Sequence, residues 1–222
     1  MSRYRANEQD EFQSGSRGRV LKNLLGITSV RAIQDAEYEA LTRTRTAYYE
    51  KIDLSTVFTT DLLLDMHRDW LGGIYPFAGQ YRQVDVTAPA QGTVSEFRFS
   101  QAAYIPQNME TFAKEMLARH TPCRAESQAQ LAAILAEVHA EFIAIHPFRE
   151  GNGRMGRWIT ELMALQADFP APDHGFAGRD GALLKQEYYE AISLALHRRE
   201  YGPLTLHFEG SIRRGERSFR PR

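Results

Sequence analysis

His146-Pro147-Phe148-Arg149-Glu150-Gly151-Asn152-Gly153-Arg154-Met155-Gly156-Arg157 separates two segments of strong helical periodicity. Before it, Leu131, Ile134, Leu135, Val138, Phe142 and Ile145 recur at intervals of three and four behind a capping Ser127, and the run stops at His146-Pro147. After it, a helix starting near Asn152 carries Met155, Ile159, Leu162, Met163 and Gln166. Helix-loop-helix is therefore the frame. Within it, Gly151 and Gly153 let the backbone turn tightly and approach a ligand closely. The next helix begins there, so its unpaired N–H groups and positive dipole end face the loop. Arg154 and Arg157, three apart, share one helix face, and two guanidinium forks suit phosphate oxygens. Glu150 is a lone carboxylate among anion-binding groups, a placing that suits Mg²⁺. Asn152 can cap the helix or offer its amide to an anion. His146 has the one side chain here that titrates near neutrality, which makes it the candidate general base. Taken singly, a Gly-Asn-Gly is a turn, a terminal His a cap and an i, i+3 Arg pair a surface feature; their conjunction points to a polyphosphate site.

Outward from the loop the chain is mainly helical. Thr59 or Thr60 caps a predicted helix with Leu62, Leu63, Met66, Trp70 and Leu71, stopped by Gly72-Gly73. Gln107–Arg119, Gly181–His197 and Pro203–Ile212 read as further helices. One region alternates instead: Gln80–Val86 and Thr93–Phe99, separated by Ala88-Pro89-Ala90-Gln91-Gly92, predict a β-hairpin. A lone hairpin must lean on the helices, with an edge open to another strand. Residues 1–19 are polar and Gly/Ser-rich and read as a flexible arm; residues 213–222 hold five arginines against Glu216 and read as a frayed basic tail, leaving 20–212 as one domain.

Composition narrows the classes. With 43 % hydrophobic and 25 % charged residues, the 222-residue chain is neither disordered nor fibrous. Its 27 Lys+Arg against 28 Asp+Glu give no support to nucleic-acid binding by net charge. No apolar run approaches the roughly 18 residues that a membrane span needs, and the N-terminus shows no apolar stretch of a secretory signal. The single Cys123 forbids an internal disulfide and has no base beside it to make it a nucleophile. His139, one helical face from His146, lacks the further Cys or His of a zinc set and reads as structural; Trp70 and Trp158 read as core.

The loop resembles the signature of the Fic (filamentation induced by cAMP) family, His-x-Phe-x-(Asp/Glu)-Gly-Asn-Gly-Arg-x-x-Arg, with every fixed position met. The resemblance extends over about residues 20 to 210, including Ile74-Tyr75-Pro76-Phe77-Ala78-Gly79-Gln80 and Arg199-Glu200-Tyr201-Gly202-Pro203-Leu204. It implies a mainly α Fic fold, a helical bundle with a helix-loop-helix active site and one β-hairpin flap. It also implies a protein adenylyltransferase that moves AMP from ATP, with Mg²⁺, to a Tyr, Thr or Ser hydroxyl. By that resemblance His146 is the base and Phe148 anchors the loop. Glu150 binds Mg²⁺, and Gly151, Asn152 and Gly153 form the anion hole. Arg154 and Arg157 hold the outer phosphates. The flap, about residues 81–100, docks the protein substrate by strand addition, with Phe97, Arg98 and Phe99 at the nucleotide or simply gluing the hairpin down. Tyr188 and Tyr189 either wall the adenine or belong to the core. Doc-like phosphotransfer and a silent Fic-like binding module are the alternatives; Gly151 and Gly153 favour AMP transfer, and intact His146, Glu150 and Arg157 favour catalysis. Many members are held off by (Ser/Thr)-x-x-x-Glu-(Gly/Asn), which Thr205-Leu206-His207-Phe208-Glu209-Gly210 fits; either Glu209 or a small antitoxin would then supply an inhibitory Glu to Arg157. The implied setting is the bacterial cytoplasm, as toxin of a toxin–antitoxin pair, with delivery into another cell left open.

Overall fold

The Ser127 hydroxyl accepts the Gln130 N–H at 3.2 Å and starts the central helix α5 (Gln128–Ile145). Its apolar residues face inward on nearly every side: Leu131, Leu135, Val138 and Phe142 are fully buried. In the computed structural model, which describes residues 11–88 and 94–219, α5 is wrapped by α3 (Ile105–Phe112), α6 (Asn152–Gln166), α7 (Gly181–Arg198) and α8 (Gly202–Phe219). Among the described residues α5 is also the one helix with the length and apolarity to cross a membrane, contrary to the expectation that no run approaches that limit. Its Ala-rich surface is explained by its central place, where small residues admit neighbouring helices closely.

α2 (Thr60–Leu71) is capped by the Thr59 hydroxyl, which accepts Leu62 N–H at 3.1 Å, and it ends at Gly72 as expected. A π-turn, Ala113–Leu117, continues α3 into the short α4 (Ala118–His120). The sequence reading did not pick out α1 (Val30–Lys51), which packs on α2. Its inward face is Ile33, Glu37, Ala40, Leu41 and Tyr48, and the buried acid breaks the apolar stripe that periodicity looks for.

Three boundaries are corrected. The hairpin exists, with β1 (Thr87–Ala88) antiparallel to β2 (Phe97–Arg98) in register Thr87↔Arg98 and Ala88↔Phe97, but Gln80–Val86 is not a strand. Arg82 draws that stretch into the body: its N–H donates to the Pro147 carbonyl at 2.9 Å rather than to a strand partner. The hairpin turn at 89–93 lies outside the described residues. In the arm, residues 1–10 lie outside them too, but 11–19 pack on the body. Phe12 bridges Leu21, Ser16 is buried, and Glu11 pairs with Arg149 of the loop. In the tail, α8 runs on to Phe219, because Gly215 nests on the Ala171 backbone and Arg214 donates to the Asp173 carbonyl at 2.8 Å; residues 220–222 lie outside the described set.

Candidate active site

α5 ends where His146 takes the left-handed conformation, φ 52° and ψ 59°, its N–H still donating to the Phe142 carbonyl at 3.0 Å. A non-glycine residue held there stores about 1–2 kcal/mol. The imidazole is 2 % exposed and stacks on Phe99 of the flap, centroids 3.7 Å apart and planes 19° from parallel. Burial first, then the Arg82 guanidinium, pushes its pKa down to about 3, against the pull of the Ile143 backbone, so the ring is neutral at pH 7.

The loop is held by residues remote in sequence. Phe148 is fully buried and stacks on His67 of α2, centroids 3.8 Å apart and planes 7° from parallel. His67 Nδ1 accepts Gly79 N–H at 2.9 Å, so Nε2 carries the proton and donates to the Glu150 carbonyl at 3.1 Å. Burial keeps this histidine neutral, its pKa lowered to about 4. The Asn152 side chain serves the loop itself: its Oδ1 accepts Phe148 N–H at 2.9 Å and its Nδ2 donates to Phe148 O at 2.7 Å, so both ends of the fully buried amide close the loop. Gly151 has φ +85°, and a Cβ there would lie 2.8 Å from the Trp70 ring. Gly153 has ordinary helical space, with Arg157 Nη1 at 3.6 Å from its would-be Cβ. Helix geometry leaves the Asn152, Gly153 and Arg154 N–H groups without intrahelical acceptors.

Glu150 accepts Gly151 N–H at 2.9 Å and pairs with Arg154 at 3.3 Å. Arg154 is held harder from α1: its Nη2 lies 2.7 Å from Glu37 Oε2, and its guanidinium sits 4.8 Å over Trp70. The other Glu37 oxygen accepts the Tyr75 hydroxyl at 2.5 Å. Arg157 donates to the Tyr188 hydroxyl at 3.3 Å and lies against the Phe176 and Tyr188 rings. Tyr188, buried, shares its hydroxyl with His139 Nε2 at 2.7 Å, so His139 is structural as expected. Among the described residues no ion pair joins Glu209 to Arg157, and His207 and Arg214 of α8 both act electrostatically on this region. Cys123 is buried, and burial raises its pKa.

A cavity of about 540 Å³ joins these groups. Its walls include His146, Glu150, Gly151, Gly153, Arg154 and Arg157 from the loop, Phe97 and Phe99 from the flap, and Tyr188 and Tyr189 from α7. Arg98 is absent from the wall: alternation along β2 turns it to solvent while Phe97 and Phe99 face in. Among the described residues Glu150 is the acid of this wall, and no group of three or more His, Cys, Asp or Glu could hold a metal alone. Three contributors escaped sequence reasoning: Glu37, His67 and Arg82. Their only signal was a polar residue at an inward position of a helical or alternating pattern.

Residues 57–164 match the Fic/DOC family. The chain is 30 % identical over 152 residues to "Protein adenylyltransferase VbhT" of Bartonella schoenbuchensis, covering 68 % of this chain and 30 % of that protein; it thus spans under a third of that relative's length. It is 30 % identical over 166 residues to "Probable protein adenylyltransferase Fic" of Salmonella typhimurium, covering 71 % of this chain and 74 % of that one. The crystal structure of BepC, a VirB-translocated effector of Bartonella tribocorum with bound AMPPNP, has the same fold, with a TM-score of 0.71 at 20 % identity over 92 % of this chain and 96 % of that one. The loop signature, its helix-loop-helix setting beside a two-stranded flap, and these alignments lead to one conclusion: the chain belongs to the Fic/DOC family.

Proposed function

We propose that the protein is an adenylyltransferase that moves AMP from ATP to a Tyr, Thr or Ser hydroxyl of a protein substrate. The observation that carries this reading is the seating of neutral His146 on the same cavity wall as Glu150, Arg154, Arg157 and the opening turn of α6. That turn and the two guanidinium groups receive the polyphosphate. Phe97, Phe99 and Tyr189 offer apolar and aromatic surface to the base of the nucleotide. The acceptor oxygen attacks the α-phosphorus in line, its bond to the bridging oxygen of the β-phosphate breaks, pyrophosphate leaves, and His146 takes the hydroxyl proton. Bound phosphate charge raises the basicity of the buried imidazole toward the working pH. Arg157, braced by Tyr188, and Arg154, braced by Glu37, neutralise the departing charge.

Glu150 fits Mg²⁺: its carboxylate stands at the cavity wall, and one protein carboxylate with phosphate and water oxygens suffices for this ion. Mg²⁺ held there would supply positive charge to neutralise the phosphates. Glu150 would then leave Arg154, which keeps Glu37 as its partner.

The test is incubation of bacterial lysate with tagged ATP and Mg²⁺, followed by mass spectrometry of labelled proteins. A mass increase of AMP is expected; a phosphate would mark Doc-like transfer, and no label a silent module. His146→Ala is expected to lower labelling by about 10²–10⁴-fold. The ring is buried, so a fall of several degrees in Tm, at about 2–4 °C per kcal/mol, should accompany it with the fold retained. Labelling near the wild-type level by the folded variant would refute the assignment.

A further inference from the structure

Arg82 is 4 % exposed, and among the described residues its guanidinium bonds only backbone carbonyls. Nε donates to His146 O at 2.8 Å, Nη1 to Val84 O at 2.6 Å, and Nη2 to Ser100 O and, at 3.3 Å, to Ile145 O. Its own backbone N–H donates to Pro147 O at 2.9 Å. These acceptors belong to three separate segments: the end of α5 with the joint that carries His146, the entry to the flap, and the exit from it.

The arrangement has a clear electrostatic logic. The last carbonyls of α5 lack helical partners and form the negative end of its dipole, where a cation is favoured. Ser100 N–H takes Ala144 O at 3.2 Å, and Arg82 takes Ile145 O and His146 O, so the flap exit and Arg82 together cap the helix. Asp85 closes the flap base once more by accepting Ala102 N–H at 2.7 Å. Burial lowers the Arg82 pKa to about 10, which still leaves it charged at neutral pH. A planar fork spans carbonyls on several segments; an ammonium does not. One residue before Ser100, Phe99 stacks on the His146 ring, so the register of the flap against this ring is set within a residue of the Arg82 clamp.

We propose that Arg82 is a positioning residue that ties the base of the flap to the backbone of His146, so that the segment receiving the protein substrate and the group taking its proton keep one fixed geometry. The catalytic part of this statement rests on the reading of His146 as base; the mechanical part does not.

The full chain is compared with Arg82→Lys and Arg82→Ala. Histidine-selective NMR of His146, assigned with His146→Asn, reads the ring-current shift from Phe99. Amide hydrogen exchange reads the flap, residues 84–88 and 94–102, against α6. Calorimetry reads MgATP affinity. In Arg82→Lys the ring-current shift should collapse, and flap amides should exchange at least tenfold faster while α6 amides keep their rates. MgATP affinity should stay within about threefold, and labelling of lysate should fall at least thirtyfold through kcat with KM for ATP kept. Guanidinium ion added to Arg82→Ala should restore part of the ring-current shift. An unchanged His146–Phe99 stack in Arg82→Lys, or protection lost equally from α5, α6 and flap, would overturn the proposal. If wild type transfers no AMP while the NMR and exchange effects appear, the reaction assignment falls and the coupling stands.

Discussion

Replacing Gly151 and Gly153 in turn by alanine separates two reasons for glycine that the signature alone merges. At Gly151 the φ of +85° is left-handed, which costs an alanine about 1–2 kcal/mol. The new Cβ would also lie 2.8 and 2.9 Å from two Trp70 ring carbons and 3.4 Å from Leu71 Cδ1. Trp70 is 1 % exposed and Leu71 fully buried, so neither can withdraw, and overpacking of this kind costs about 1–3 kcal/mol. The sum is roughly 2–5 kcal/mol, a large share of the roughly 5–15 kcal/mol typical of a folded domain. With a urea m-value of about 2–3 kcal/mol/M, the midpoint should fall by about 1–2 M. Because Arg154 lies over the same Trp70 ring, MgATP binding should weaken as well. At Gly153 the backbone is not left-handed and an alanine Cβ meets only Arg157 Nη1 at an ordinary 3.6 Å. Alanine is the better helix former by about 1 kcal/mol, so Gly153→Ala should be as stable as wild type or slightly more so. Its methyl would stand on the cavity wall at the turn that receives the phosphates, so MgATP affinity should drop about tenfold or more. Urea unfolding followed by tryptophan fluorescence, with calorimetry on each variant, reads both effects. Gly151→Ala as stable as wild type, or Gly153→Ala as destabilised as Gly151→Ala, would refute the reasoning.

Other outcomes follow from the same geometry. Burial lowers His67 and His207 to about 4 and His139 and His146 to about 3, from 6.5. Below about pH 6.5 the unfolded chain therefore binds protons that the folded chain refuses. Stability should fall with pH by up to about 1.4 kcal/mol per unit for each histidine, roughly 5 for the four. Tm should be flat from pH 8 to 7 and drop steeply between 6 and 4; a flat profile through pH 5 would contradict the burial of these rings. Glu150→Gln should abolish the enhancement of ATP binding by Mg²⁺ seen in calorimetry, and equal enhancement in both proteins would remove Glu150 from the metal site. Glu209→Ala should leave AMP transfer within about twofold of wild type, since Arg157 is met by Tyr188 and not by Glu209; a tenfold rise would restore internal inhibition.

Local chemistry was legible in the amino-acid sequence wherever the partners are neighbours along the chain. Ser127 and Thr59 announce helices because a cap bonds two or three residues ahead, and α5 and α6 show themselves by their apolar period. The loop signature is contiguous, so its base, carboxylate and arginines could be named together with the family. The tertiary structure alone decided what holds them. His67 and Glu150 are 83 residues apart, Arg82 and His146 64, and Arg149 and Glu11 138, and no spacing rule reaches such distances. It also decided direction: Asn152 turns inward to its own loop, and Arg98 turns out to solvent. Sequence states which groups can form a bond; only packing settles which of their possible partners arrive. Buried polar groups such as Glu37 and Arg82 look like interruptions of a pattern until the fold brings their partners within 3 Å.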